Sequence, residues 1–185
     1  IADSVLLGGL VADCFQMARG KMRKRYKELG EEEVEQVEHC RDILDAYPEK
    51  IQLPMDVALD VKGERVEVFI DRITEERNIY DIGLNTIAHY SSTIDKACTV
   101  VAEGPLGMFE RRGFEIGTKE LLRCMATCKG YTVVGGGHMG GMASMLGVTD
   151  RMSHVSTGGG AMLNMLAGEN LPVIAALRES RKKYG

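Results

Sequence analysis

Residues 131–161, YTVVGGGHMGGMASMLGVTDRMSHVSTGGGA, decide how the rest of the chain is read. They repeat one pattern twice: a short β-branched run, a triple glycine, then a helix-like segment. The first copy is Thr132-Val133-Val134, Gly135-Gly136-Gly137 and Met139 to Leu146; the second is His154 to Thr157, Gly158-Gly159-Gly160 and Ala161 to Leu166. Glycine between a strand and a helix lets the backbone turn tightly and approach a ligand closely. The helix that follows presents unpaired N–H groups and the positive end of its dipole, a combination that suits phosphate. Two such ends in one sheet suit a polyphosphate, or a phosphoryl group in transit. Glycine after a strand also serves plain packing in any doubly wound protein, so the doubling carries the argument. Neither copy fits GxxxxGK[ST] or GxGxxG.

The same alternation extends outward. Ser4 to Leu7, Gly8-Gly9 and Leu10 to Arg19 read as strand, glycine turn and helix. Glu31 to Ala46 is an amphipathic helix with Val34, Val37, Ile43 and Leu44 on its apolar side and acids at its start, as the dipole prefers. Ile51 to Leu53 reads as a strand closed by Pro54. Asp56 to Val61 and Arg65 to Ile70 alternate around Lys62-Gly63 as a hairpin with exposed charges, outside the central sheet. A helix is expected from about Leu84 to Tyr90, a buried strand over Thr99 to Ala102, and a helix from Gly117 to about Lys129. Leu171-Pro172-Val173 starts a last short helix. The expected fold is α/β: a Rossmann-like parallel sheet with helices on both faces, three layers α/β/α, plus a small β-hairpin. One domain covers residues 1–178, and 179–185 form a charged tail.

Composition narrows the function classes. At 185 residues the chain is long enough for one substantial core. A net charge of −4 gives no reason to expect nucleic acid or an anionic membrane as partner, and no apolar run approaches the ~20 residues of a membrane span. The N-terminus carries no basic region followed by an apolar stretch, so no secretory signal is visible. Cys14, Cys40, Cys98, Cys124 and Cys128 form no C-x-x-C pair and read as buried free thiols in a reducing cytosol rather than a zinc site. The run from Arg19 to Lys27 carries six positive charges; with Glu31-Glu32-Glu33 following at once, it reads as a solvated connection more readily than as a phosphate patch. The chain opens on Ile1-Ala2-Asp3 without Met, which reads as a fragment, and reduced stability or association is expected of it.

Together LLGGLVADCF, LPMDV, YDIGLNT, EGPLGMFE, GFEIGT, VVGGGHMGGMA and SHVSTGGGAMLNMLAGENLP, in this order from residue 1 to about 178, resemble the C-terminal, nucleotide-binding domain of the phosphoglycerate kinase family. GGGH where many members have GGGD resembles the archaeal branch. The resemblance implies reversible phosphoryl transfer from 1,3-bisphosphoglycerate to ADP, giving ATP and 3-phosphoglycerate, with Mg²⁺ arriving on ATP or ADP in the cytoplasm. It also implies that the sugar phosphate binds a separate N-terminal domain with no counterpart here. The isolated chain is then expected to bind nucleotide weakly and not to turn over. A stand-alone nucleotide-binding module is the alternative. A Rossmann dehydrogenase is disfavoured because Gly8-Gly9-Leu10-Val11-Ala12 lacks the dinucleotide fingerprint.

By the same resemblance, Gly8 and Gly9 lie against adenine, with Leu10 in place of a third glycine. Pro105, Leu106 and Gly107 pass the ribose and phosphates, and Glu110 accepts from the ribose hydroxyls. Gly136, Gly137 and Met139 belong to the loop and helix start under the nucleotide phosphates. Gly137, Gly158, Gly159 and Gly160 direct N–H groups at the phosphoryl group in transfer. His138 stands where many members have a metal-ligating Asp. Imidazole is a poor ligand for Mg²⁺, so His138 contacts a phosphate oxygen, or the metal is held by nucleotide and water, or the histidine is structural. Glu103 stands where many members have Asn; a carboxylate there repels phosphate unless it faces away or meets the metal.

Overall fold

Parallel strands joined through helices dominate the chain, as the alternating pattern requires. A computed structural model describes residues 2–22, 26–73 and 79–185. Its elements are β1 (Val5–Leu6), α1 (Gly9–Ala18), α2 (Glu31–Ala46), β2 (Ile51–Gln52), β3 (Asp56–Val61), β4 (Glu64–Phe69), β5 (Ile79–Ile82), α3 (Leu84–Lys96), β6 (Thr99–Glu103), α4 (Ile116–Thr127), β7 (Tyr131–Gly135), α5 (Gly137–Met145), β8 (His154–Ser156), α6 (Gly159–Leu166) and α7 (Pro172–Tyr184). The α/β class and the small antiparallel unit are as expected.

The parallel strands form two ladders, β1–β2 and β6–β7–β8, with β7 central in the second. Tyr90 lies across the end of the first ladder: its buried hydroxyl approaches Leu7 O at 2.8 Å and Gln52 O at 2.9 Å. Two apolar clusters hold the elements. Ile87, Tyr90 and Ile94 of α3, Leu121, Leu122 and Met125 of α4, and Met139, Met142 and Ala143 of α5 pack with Val134 of β7. The second cluster joins Phe15 and Met17 of α1 to Val37 and Cys40 of α2 and to Leu53.

The third sheet has the order β4–β3–β5, all antiparallel. Lys62 and Gly63 both take positive φ, 55° and 89°, as the two-residue hairpin turn demands. The hairpin expectation needs two corrections. A third strand, β5, pairs with β3, and the charges are not all exposed: β3 is buried from Asp56 to Leu59, and Arg65 of β4 is largely buried. Asp56 tolerates burial because α3 uses it as a cap. Its carboxylate accepts from Thr86 N (2.8 Å), Thr86 Oγ1 (2.6 Å), Asn85 N (3.0 Å) and Asn85 Nδ2 (2.7 Å). Burial pushes the Asp56 pKa up, but the Thr86 and Asn85 hydrogen bonds outweigh it and hold the group below its usual value.

Other boundaries shift. Helix α3 runs past Tyr90 to Lys96, and α7 continues through the charged stretch to Tyr184. Strand β6 is not buried throughout: Thr99, Val101 and Glu103 are exposed while Val100 and Ala102 face the first cluster. Arg23, Lys24 and Arg25 of the basic run, and Ile1, lie outside the described residues. The five cysteines form no disulfide; of them Cys40 is buried, Cys14, Cys124 and Cys128 are half-buried and Cys98 is exposed, so the expectation that all are buried does not hold. Among the described residues no helix is long and apolar enough to cross a membrane.

Candidate functional site

Both triple glycines sit where strand becomes helix, and in each the helix starts inside the glycine run. Gly136 has φ 85°, a left-handed conformation that favours glycine, and α5 begins at Gly137. Gly158 precedes α6, which begins at Gly159. Neither helix has a side-chain cap, so the first-turn N–H groups of both have no side-chain acceptor. The two loops are joined: Gly136 N donates to Ser156 O at 3.0 Å, and Gly135 is in register with Ser156. A β-carbon added at Gly159 would come within 3.2 Å of Gly136 Cα. One added at Gly135 would collide with Met162 of α6, so part of the glycine content here answers to packing.

Glu103 closes β6 in register with Gly135, and its side chain turns toward the glycines. A β-carbon at Gly159 would lie 2.5 Å from Glu103 Oε1, and one at Gly136 would lie 3.4 Å from it. The carboxylate is exposed and makes no hydrogen bond or ion pair with another described residue. It does not face away. His138, exposed in the first turn of α5, leans on Phe109 with ring centroids 5.5 Å apart. Met139 buries its side chain in the main cluster, leaving only its backbone for a ligand. Gly137, Gly158 and Gly160 are open: no atom lies within 3.4 Å of a β-carbon added at any of them.

The other two predicted segments also meet. Gly9 N donates to Leu106 O at 3.0 Å, and a side chain at Gly8 would strike Leu106. Leu106 N in turn donates to Thr118 Oγ1 at 3.0 Å. Behind this loop, Met108 N donates to Tyr80 O (2.7 Å), and a β-carbon at Gly107 would come within 2.6 Å of Tyr80 O and 2.8 Å of Asp81 Cα. Glu110 is exposed and its carboxylate is not engaged by another described residue.

Sequence reasoning missed what holds the 105–107 loop in place. Asp81, fully buried, accepts from Gly117 N (2.8 Å) and Ile82 N (2.9 Å). Arg65 reaches it from the hairpin at 2.8 Å and also donates to Gly113 O and Ile82 O, both at 2.8 Å. Burial is the largest influence on Asp81 and raises its pKa, despite the Gly117, Arg65 and Ile82 contacts that lower it. Asp81, within the quoted YDIGLNT, and Gly117 and Thr118, within GFEIGT, were the sequence signals for this support, and nothing linked them to Arg65.

A metal test follows from the donor set. Among the described residues no group of three or more His, Cys, Asp and Glu could hold a metal by itself. Mg²⁺ carried by a nucleotide needs only one or two protein carboxylates beside phosphate and water. Glu103 fits that demand; the nitrogen of His138 does not. A separate concavity of about 940 Å³ between α1 and α2, lined by Glu35, His39 and Cys40 among others, shares no residue with the glycine site.

The phosphoglycerate kinase family model matches residues 1–169. The chain is 42% identical to phosphoglycerate kinase of Methanococcus maripaludis over 99% of this chain and 45% of that protein. It is 41% identical to that of Methanobacterium bryantii over 98% of this chain and 45% of the relative. The crystal structure of phosphoglycerate kinase from Pyrococcus horikoshii superposes with a TM-score of 0.85 at 40% identity, covering 99% of this chain and 47% of that one. For the Coxiella burnetii structure the TM-score is 0.79 at 31% identity, over 94% of this chain and 46% of that one. The chain therefore spans about half the length of the relatives it matches.

Proposed function

This chain belongs to the phosphoglycerate kinase family, and on that premise we propose that it is the nucleotide-binding part of such a kinase, serving reversible phosphoryl transfer from 1,3-bisphosphoglycerate to ADP. The observation that carries the reading is the meeting of two uncapped helix N-termini, α5 and α6, on glycine loops tied together through Gly136 and Ser156. Each end carries roughly half a positive charge on N–H groups already fixed in place. Phosphoryl transfer needs alignment and neutralisation of charge on the equatorial oxygens rather than a covalent intermediate.

The roles proposed for individual residues are those the family resemblance implies, and the geometry supports them. Gly8 and Gly9, packed on Leu106, offer a flat surface for adenine, and Pro105 to Gly107 pass the ribose with Glu110 accepting from its hydroxyls. Gly136, Gly137, His138 and the backbone of Met139 receive the nucleotide phosphates, and Gly137 with Gly158, Gly159 and Gly160 face the phosphoryl group in transfer. When bound with ADP or ATP, Mg²⁺ supplies further charge neutralisation. The phosphoglycerate partner is held by residues outside this chain, so the chain alone binds nucleotide without turning over. Residues 1–178 act as the nucleotide unit and 179–185 as its tail, in the cytoplasm.

Calorimetric titration with Mg-ADP tests this, on the parent and on Gly159→Asp, which sets a negative side chain against Glu103 and the phosphate path. Binding by the parent and at least a tenfold loss in the variant is the expected outcome. Equal affinity in both would remove the triple-glycine loops from the site. A folded parent that binds no nucleotide would overturn the reading.

A further inference from the structure

We propose that Glu103 is the protein ligand of the divalent cation that accompanies the nucleotide; the inference rests on the nucleotide reading above and names the group that completes it. Four observations point to it. The carboxylate stands at the junction of the two glycine loops, close enough that a β-carbon at Gly159 would lie 2.5 Å from Oε1. It has no structural task. Asp56, Asp60, Asp81, Glu67 and Glu115 are each engaged by a hydrogen bond or an ion pair, whereas Glu103 is exposed and unpaired among the described residues. It faces the N-termini of α5 and α6, the place where phosphate charge would gather. Finally, the neighbouring side chain on α5, His138, offers nitrogen rather than the oxygen that Mg²⁺ takes.

The electrostatics make the choice sharp. Without a cation, a nucleotide phosphate brought to these loops meets a fixed negative charge. Two like charges ~4 Å apart at an effective permittivity of about 20 repel by the equivalent of roughly a thousandfold in affinity, and solvent exposure reduces this to about ten- to a hundredfold. A divalent ion between carboxylate and phosphate reverses the sign. Glu103 thus rejects bare nucleotide and accepts its metal complex, so one side chain sets both metal dependence and ligand form.

The test is titration of the whole chain with ADP in EDTA and with ADP plus Mg²⁺, and with Mn²⁺ in the presence of ADP followed by electron paramagnetic resonance. Glu103→Gln keeps shape and removes charge; because the side chain has no described partner, its thermal melt should match the parent. The parent is expected to bind Mg-ADP about a hundredfold more tightly than metal-free ADP. Glu103→Gln should bind metal-free ADP about tenfold better than the parent, lose most of the metal dependence, and hold Mn²⁺ at least tenfold more weakly in the ternary complex. His138→Asp placed on the Glu103→Gln background returns an oxygen ligand and should restore the dependence. Unchanged metal dependence in Glu103→Gln, with the parent still binding ADP, overturns this proposal and leaves the nucleotide reading intact. No ADP binding to parent or variants overturns both.

Discussion

Replacing Arg65 by Met tests how the hairpin supports the loop at residues 105–107. The guanidinium is 13% exposed and donates to Asp81 Oδ2, Gly113 O and Ile82 O, each at 2.8 Å, and pairs with Glu67 at 3.0 Å. Met fills similar volume but leaves Asp81, fully buried, without its counter-charge, and strips two carbonyls of a donor. Breaking a buried pair from one side costs about 3–5 kcal/mol, a large part of the ~5–15 kcal/mol that holds a domain together. The pH dependence has a definite sign. Burial already raises the Asp81 pKa above its unfolded value of 3.8. A carboxyl raised in this way contributes its stability in full below the unfolded pKa and loses it as pH rises through the folded one. Removing Arg65 takes away an influence that lowers the pKa, so the folded value climbs further and the variant regains stability at a higher pH than the parent. Urea unfolding at neutral pH and at a series of lower pH values should show the deficit shrinking as the pH falls through the folded Asp81 pKa, and Asp81→Asn in the same background should remove most of it. A deficit under about 1 kcal/mol at neutral pH, or one that does not shrink anywhere as the pH is lowered, refutes the argument.

Three further outcomes are expected. Thr86→Val removes the hydroxyl that accepts from Met55 N and Asp56 N and donates to Asp56 Oδ1, costing about 1–3 kcal/mol in urea at pH 7. Because the folded Asp56 pKa is lowered, its contribution is present above the unfolded 3.8 and lost as pH falls through the folded value, so the Thr86→Val deficit should narrow in strong acid. Gly107→Ala presses a methyl onto Tyr80 O and Asp81, and thermal melts should show a loss of about 1–3 kcal/mol with or without ADP. Tyr90→Phe leaves Leu7 O and Gln52 O without their shared hydroxyl; a loss of about 1 kcal/mol in the same melts is expected.

Much of this architecture is legible in the sequence because its signals are local. Glu31 to Ala46 carries its own acidic start and helical period, and the helix occupies those residues. Lys62-Gly63 announces a hairpin, and the two strand–glycine–helix units read themselves. What sequence reading loses is decided at a distance. Strand β5 is four residues, IYDI, whose partner β3 lies some twenty residues away. The burial of Asp56 depends on Asn85 and Thr86, and Arg65 shows its purpose only when Asp81 and Gly113 come to it. In the candidate site, the placement of both glycine runs between strand and helix was readable from spacing. The direction of Glu103 was not, because it follows from the pairing of Glu103 with Gly135 across two strands.

The cap of α3 is borrowed. Gly83, at the helix start, has no side chain to give, and the carboxylates that receive the first N–H groups come from the sheet: Glu67 of β4 accepts from Leu84 N, and Asp56 of β3 from Asn85 N and Thr86 N. A helix capped by its own neighbour can persist when the rest of a domain opens; this one cannot keep its first turn once β3 departs. Amide protons of α3 and of the β3–β4–β5 sheet should therefore exchange with solvent as one cooperative unit, with a common opening energy. The loop at residues 105–107, held from behind by the Met108 N–H donated to Tyr80 O of β5, rides on that unit. Loosening the sheet far from the glycines would thus be felt at this loop, where we propose the ribose binds, as a change in how long it stays assembled.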